Sequence, residues 1–261
     1  PGFNGTGRVS TPVGTFPFVY DLTLWDANKI AVVGQADSDF AIVCYNPDGT
    51  LDTSFSVDGV DLRSVGGGFD GALAVTTQTF TDGKIVLAGT TTAGPDNLDF
   101  ALMRYNFDGT LDTSFDGDGV VTTSLSSSGD DFALAVAQQS SGKIIAAGSA
   151  FTSGANRMIV ARYTTAGALD NTFGFLGANV SGFSGRSEAQ ALAMGGSDSF
   201  ILGGAVGDSP ARDFALVRFT VDGALDTSFG TGGTGRVTTA IGAGDDLIHG
   251  LVIQKKKKKI V

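Results

Sequence analysis

The sequence predicts an all-β fold made of repeated units of about sixty residues. Three observations support this prediction. Similar segments return along the chain in the same order, each unit contains four short stretches rich in β-branched, aromatic or small apolar residues, and glycine-containing turn signals separate these stretches. No window has the apolar spacing of a long amphipathic helix.

The repeat is defined by three segments. The first has the pattern Gly-Thr-Leu-Asp-Thr-Ser-Phe or a close variant, and its final phenylalanines, Phe55, Phe115, Phe173 and Phe229, are 60, 58 and 56 residues apart. Phe3 is predicted to end an earlier copy. The second segment, of the type Asp-Phe-Ala-Leu-Met-Arg-Tyr, precedes the first in every copy, and the third begins with Lys-Ile or Phe-Ile. Because all three keep their order in four units, chance similarity is excluded.

Each unit is predicted to contain four short antiparallel strands. In the second full unit they are 72–78, 84–90, 100–106 and 119–123, and turn signals such as Asp108-Gly109 separate them. Four antiparallel strands at this period are typical of a β-propeller blade. The chain is therefore predicted to be one β-propeller domain, 1–261. Its units are expected at about 1–15 (partial), 16–65, 66–125, 126–182, 183–240 and 241–261 (partial).

The two partial units predict five blades if the chain closes on itself. Residues 3–13 match the fourth strand of a unit, and 247–261 match the first and second strands. The last blade is accordingly expected to be incomplete, or to be closed by the N-terminal strand.

Composition excludes several functions. The formal net charge is −10, and five of the positive charges lie in one run, Lys255 to Lys259. The protein thus lacks the basic surface of a nucleic-acid partner. No apolar stretch is long enough to predict membrane insertion. The single cysteine, Cys44, rules out an internal disulfide. The lysine run falls where other units have a hairpin turn. It is either a basic tail for an acidic partner or an altered sequence, and no function is assigned to it.

The repeat is similar to a known family. The sequence Asp-Gly-Lys-Ile-Val, followed by Asp-Phe-Ala-Leu-Met-Arg-Tyr-Asn and Asp-Gly-Thr-Leu-Asp-Thr-Ser-Phe, resembles the bacterial delta-60 repeat, most closely at 82–115. The resemblance covers nearly the whole chain. It implies a β-propeller and a secreted or surface-attached bacterial protein, and it carries over no catalytic motif.

The loops that contain Asp-Gly invite a calcium hypothesis. Asp48 and Asp52, and likewise Asp108 and Asp112, bring oxygen ligands close together, as a hard cation requires. No glutamate of the EF-hand type accompanies them, and the third copy has Ala166 where Asp48 stands. The preferred interpretation is structural, with Asp-Gly forming a hairpin turn and the second aspartate capping the next turn.

A catalytic site is not predicted. His249 is the only histidine, and it falls in a predicted first strand, 247–253. Cys44 stands where the other copies have arginine, with no base beside it. Trp25 lies in the first strand of its unit, where burial is expected. The sequence contains no phosphate-binding loop, dinucleotide-binding motif or zinc motif, so no cofactor is predicted.

The second and first segments supply recurrent pairs of charged residues. An arginine precedes an aspartate by eight residues in three units, in the pairs Arg104 and Asp112, Arg162 and Asp170, and Arg218 and Asp226. Alternation along the third strand places the arginine on an apolar side, where an unpaired charge would be costly. We predict a buried structural ion pair in these three units. In the first unit, which has Cys44, the turn-capping role of Asp52 is expected to suffice.

These observations predict a non-enzymatic module that binds other proteins or surface glycans, in the manner of an adhesin, or that serves as secretion cargo. Its expected location is extracellular or at the cell surface. The alternative is a propeller-type lyase or hydrolase that uses residues lining a central channel, which would need histidine, arginine and carboxylate side chains at the ends of the first strands.

Overall fold

The computed structural model describes residues 2–26, 28–78, 83–92, 97–254 and 259–261. In this part of the chain the fold is all-β, as predicted, with four antiparallel sheets of four strands each and one further pair of strands. One 3-10 turn, Gly196–Asp198, is the helical element among the described residues. No described helix has the length and apolar character needed to cross a membrane.

Each four-stranded sheet corresponds to one repeat and is called a blade below. Blade A contains β1 (Phe18–Trp25), β2 (Lys29–Ala36), β3 (Asp39–Tyr45) and β4 (Val60–Arg63). Blade B contains β5 (Asp70–Gln78), β6 (Lys84–Thr91), β7 (Asp99–Tyr105) and β8 (Val120–Thr123). Blade C contains β9 (Phe132–Gln138), β10 (Ile144–Thr152), β11 (Ala155–Tyr163) and β12 (Ala178–Val180). Blade D contains β13 (Ser187–Met194), β14 (Phe200–Val206), β15 (Asp213–Phe219) and β16 (Arg236–Thr239). The remaining pair is β17 (Ile253–Gln254) with β18 (Lys259–Ile260).

Strands within a blade pair in chain order, so each blade is a simple meander. The second and third strands lie in the middle of each sheet and are buried almost throughout in blade B. This burial explains why they are continuous apolar runs rather than alternating ones. The fourth strands are no longer than four residues and are largely half-buried or exposed, as expected for an outer edge.

The chain divides into two compact units, one of residues 1–124 with 166–168 and the other of residues 125–165 with 169–261. In the first unit, Trp25, Phe55 and Tyr105 belong to one apolar core that joins blades A and B. In the second unit, Phe173, Phe200 and Phe219 belong to the core that joins blades C and D.

The predicted N-terminal strand is wrong. Residues 2–17 form no strand in the structure. Instead, Val9 and Val13 pack on the apolar face of blade A, and the Tyr45 hydroxyl donates to Thr11 Oγ1 at 2.8 Å. The segment contains several glycines at positive φ. Side-chain packing, rather than backbone pairing with a neighbouring strand, therefore fixes its position.

The predicted first strand at 247–253 is also wrong for most of its length, because 247–252 form no strand and β17 begins at Ile253. The partner strand β18 is only two residues long. It therefore offers backbone hydrogen bonds to few residues of the preceding segment. Residues Lys255 to Lys258, and the Thr81-Asp82 part of the turn in the second unit, lie outside the described residues.

Candidate functional site

The arginine and aspartate that lie eight residues apart are in contact in all three units. The distance from arginine Nε to aspartate Oδ2 is 2.6 Å for Arg104 and Asp112, and 2.8 Å for Arg162 and Asp170. All four side chains are at most 6% exposed. These two pairs therefore join oppositely charged groups away from solvent, where neither could remain charged at low cost alone.

The pair in blade D has the same geometry but a different environment. Arg218 Nε lies 2.8 Å from Asp226 Oδ2, yet the two side chains are 29% and 24% exposed. The expectation of a buried pair is therefore wrong for blade D. Water competes for both groups there, so the ion pair contributes less to stability.

Each of these arginines also stacks on the phenylalanine that ends its repeat. The guanidinium carbon lies 4.4 Å from the Phe115 ring centre in blade B, 4.7 Å from that of Phe173 in blade C and 4.9 Å from that of Phe229 in blade D. A guanidinium between a carboxylate and an aromatic face is held in one orientation. The arginine thus links the third strand to the segment that follows it.

A lysine at the start of the second strand supplies another cation, which sequence reasoning missed. Lys29 Nζ lies 2.8 Å from Asp52 Oδ2, and the equivalent lysines Lys84 and Lys143 lie 2.7 and 2.8 Å from Asp112 and Asp170. Asp52, expected to have no cation, is therefore paired through Lys29. The available signal was the Lys-Ile start of the second strand, which is Phe-Ile in blade D.

The ionisation of these aspartates follows from their partners. Burial alone raises the pKa of Asp112, but hydrogen bonds from Lys84 and Ser114 and the charge of Arg104 outweigh it, so this pKa lies well below its usual range. The pKa of Asp170 is lowered in the same way. Asp52 also has a lowered pKa, since the contacts with Lys29 and Ser54 outweigh its burial.

The aspartates of the calcium hypothesis make turn contacts. Asp48 Oδ1 accepts from the backbone N–H and hydroxyl of Thr50 at 3.0 and 2.7 Å, and Asp108 accepts from Thr110 in the same way. Both hydrogen bonds from Thr50 lower the pKa of Asp48. The described residues contain no group of three or more His, Cys, Asp or Glu side chains that could hold a metal ion.

The three residues considered for catalysis lie in different environments. Cys44 is buried in the core of blade A, and burial, followed by the charge of Asp52, raises the pKa of its thiol far above the usual range. His249 is exposed and lies outside any strand. Trp25 is 4% exposed and packs edge-on against Phe55 at 6.0 Å between ring centres.

A large exposed apolar surface lies on β1 and was not predicted from the sequence. It consists of Val19, Leu22 and Leu24, with Tyr20 in the bulge that interrupts the pairing of β1 with β2. We call these four residues the β1 surface. Their side chains are between 49% and 68% exposed. A cluster of large exposed apolar side chains is uncommon on a soluble monomer, and patches of this kind include protein–protein interaction sites.

The equivalent positions of other blades are less exposed. The register with the second strand, counted from the bulge that all three first strands contain, aligns Leu22 with Val75 of blade B and with Leu192 of blade D. Val75 is 7% exposed and Leu192 is half-buried, whereas Leu22 is 59% exposed. The same face of blade A continues to Val43 and Tyr45, which are buried under the N-terminal segment. That segment therefore covers the outer half of the face and leaves the half on β1 open to solvent.

Comparison with known proteins agrees with this architecture. A family model described as "Domain of unknown function (DUF5122) beta-propeller" matches residues 28–55, 81–115, 139–173 and 200–229. The chain belongs to this β-propeller repeat family. Each match begins at the turn before the second strand or at that strand's start, and ends on the phenylalanine of the first segment. The resemblance to the delta-60 repeat, which is of this type, is confirmed. No curated protein matches the chain.

Proposed function

We propose that this chain is a non-enzymatic protein-interaction module and that the β1 surface is its contact site. The observation that carries the proposal is the exposure of Leu22 and Leu24, each 59%, at positions that are buried or half-buried in the other blades. The propeller repeat supplies a rigid frame for this strand, since Trp25 at its end lies in the core of the first unit.

The chemistry of the surface favours a protein partner over a glycan. Val19, Leu22 and Leu24 offer aliphatic area without polar groups, and Tyr20 adds an aromatic ring with a hydroxyl. The buried centres of protein interfaces are rich in apolar and aromatic side chains and poor in charged ones. We propose a partner with a complementary apolar surface. A location outside the cell or at its surface is part of the proposal and is supported by the resemblance to delta-60 repeats.

Paired substitutions test the proposal. The double variant Leu22→Asp and Leu24→Asp places two charges on the β1 surface. The matched control is Val57→Asp, because Val57 is 90% exposed in a loop outside that surface. Partners captured from the native source would be identified by mass spectrometry, purified, and measured for direct binding to each variant. We expect affinity to fall at least about tenfold in the double variant, as for loss of an interface centre, and to stay unchanged in the control.

Two results would contradict the proposal. One is equal affinity of the purified partner for the wild type and the double variant. The other is steady turnover of a glycan or ester substrate that His249→Ala abolishes, which would favour the enzyme class instead.

A further inference from the structure

The turn after the third strand of each blade, which is Asp-Gly in blades A, B and D and Ala-Gly in blade C, contacts the preceding copy of the repeat in a constant way. The residue after each closing phenylalanine donates its backbone N–H to a carbonyl oxygen in the turn of the next blade. The acceptor is the residue directly before the turn glycine. The hydrogen bonds run from Ser56 to Asp108 at 2.9 Å, from Asp116 to Ala166 at 2.8 Å and from Gly174 to Asp222 at 3.0 Å. Asn4, which follows Phe3, donates to Asp48 in the same way. Phe3 therefore occupies the place of a closing phenylalanine, as the sequence predicted.

The turn glycine lies against that same phenylalanine in blades A, C and D, whereas in blade B it lies against Ser56, the residue that follows the phenylalanine. A Cβ at Gly223 would stand 2.6 Å from the Phe173 ring, and one at Gly167 would stand 3.1 Å from the Phe115 ring. Gly223 and Gly167 also have φ of +81° and +91°, a region that suits glycine. The turn therefore needs glycine for two reasons, its backbone conformation and its close approach to the ring.

A third contact reaches the arginine. Arg162 Nη1 donates to the carbonyl oxygen of Val221, which lies in the turn of the following blade, at 2.8 Å. This turn helps to bury Arg162, whose side chain is 3% exposed.

In blade D no turn contacts the three equivalent groups, which are the backbone N–H after the closing phenylalanine, the phenylalanine ring and the arginine. The Gly230 N–H has no hydrogen-bond partner among the described residues. Phe229 is only half-buried, whereas the other three closing phenylalanines of blades A to C are fully buried. Arg218, 29% exposed, lies beside them. Phe229 and Arg218 line a cleft of about 790 Å³ whose apolar walls include Met194, Ile201, Ile253 and Ile260, and Gly230 directly follows Phe229.

The outer edge of β18 adds a backbone site to the cleft. In each blade the second strand pairs with a first strand on one side and a third strand on the other, but β18 pairs only with β17 in the described part of the chain. An exposed strand edge is a template for a further strand.

We propose that this cleft binds the third strand and Asp-Gly turn of another unit of the same repeat. The strand would pair with β18 and cover the apolar walls of the cleft. The carbonyl oxygens of the turn would accept hydrogen bonds from the Gly230 N–H and the Arg218 guanidinium, and the turn glycine would pack on the Phe229 ring. An intact blade cannot supply this strand, because its third strand is already paired on both edges, as β7 is between β6 and β8. The occupant is therefore a strand and turn that are not yet part of a complete blade.

A synthetic peptide with the sequence of residues 99–115 tests this proposal. Fluorescence anisotropy of the labelled peptide, titrated with the 261-residue chain, should show saturable binding at a 1:1 ratio. Replacing the peptide glycine that corresponds to Gly109 by valine should weaken binding at least about tenfold, because the branched side chain can neither adopt the turn nor approach the ring. Ile260→Asp in the chain should cause a similar loss, and Leu22→Asp should cause none.

Hydrogen exchange gives an independent measurement if Ile260→Asp fails to fold. The wild-type Gly230 amide should become protected when the parent peptide is added and should stay unprotected with the valine peptide. Several results would overturn the proposal. The first three are the absence of saturable binding to the folded chain, equal binding of both peptides, and loss of peptide binding through Leu22→Asp alone. The fourth is a dimer of the chain that requires Ile260 and is not dissociated by added peptide.

Discussion

Replacing Arg104 by alanine removes the cation that is most completely enclosed in the first unit. Its Nε contacts Asp112 Oδ2 at 2.6 Å, its Nη2 donates to Ser114 Oγ at 3.1 Å, and its guanidinium stacks on Phe115. A hydrogen bond between charged groups contributes roughly 1.5–3 kcal/mol. A desolvated cation–π contact adds about 2 kcal/mol. Breaking a buried pair costs roughly 3–5 kcal/mol, and the lower end applies here because Lys84 still compensates Asp112. We expect Arg104→Ala to lower the free energy of unfolding by about 3 kcal/mol.

Arg218→Ala is the matched comparison. It breaks the same contacts at a site where both side chains are about one quarter exposed, so the expected loss is about 1 kcal/mol or less. Urea unfolding would be followed by the fluorescence of Trp25, the only tryptophan, for the first unit, and by far-ultraviolet circular dichroism for the whole chain. The reasoning is refuted if Arg104→Ala costs no more than Arg218→Ala.

Four further predictions concern single features. The pKa of Asp112 is lower in the folded than in the unfolded chain, so the ionised carboxylate stabilises the fold near neutral pH, and this stabilisation is lost as the pH falls below about 4. The free energy of unfolding in urea, measured between pH 7 and 3, should therefore depend less on pH in Asp112→Asn than in the wild type. The Cys44 thiol, buried and with a raised pKa, should resist thiol reagents at about pH 8 and react after denaturation; rapid labelling of the folded chain would contradict its burial. Val57 has φ +73°, where blade B has Gly117, so Val57→Gly should stabilise the chain by about 1 kcal/mol in the same urea assay, and a loss of stability would argue against this backbone conformation. Removing calcium with a chelator should leave the melting temperature nearly unchanged, because Asp48 already accepts from Thr50; an upward shift of many degrees on adding calcium would restore the metal hypothesis.

Local sequence patterns were sufficient to predict the blades. The strands expected at 84–90 and 100–106 are β6 and β7 to within one residue at each end. Their β-branched and apolar composition, and the Asp-Gly turn after β7, are short-range signals that act in the same way in every copy. The eight-residue interval between Arg104 and Asp112 was also sufficient to place the two side chains together, because one turn connects them.

Contacts between distant segments could not be predicted in this way. Lys84 and Asp112 are 28 residues apart and meet because β6 and β7 are adjacent in the sheet. The lysine appeared in the sequence only as the start of a strand. The N-terminal segment was predicted to be a strand from its similarity to a fourth strand, yet it packs through Val9 and Val13 instead. A strand requires a partner with matching backbone groups, and sequence similarity cannot show whether that partner is present.

The sequence alone therefore determined the repeat, the all-β fold and the pairing of arginine with aspartate, since each depends on residues close together in the chain. The tertiary structure decided which copies of the same motif are covered. Leu22 and Arg218 occupy positions equivalent to the buried Val75 and Arg104, yet both are exposed to solvent. Burial depends on what packs against a residue from elsewhere in the chain, and equivalent residues in a repeat have different neighbours.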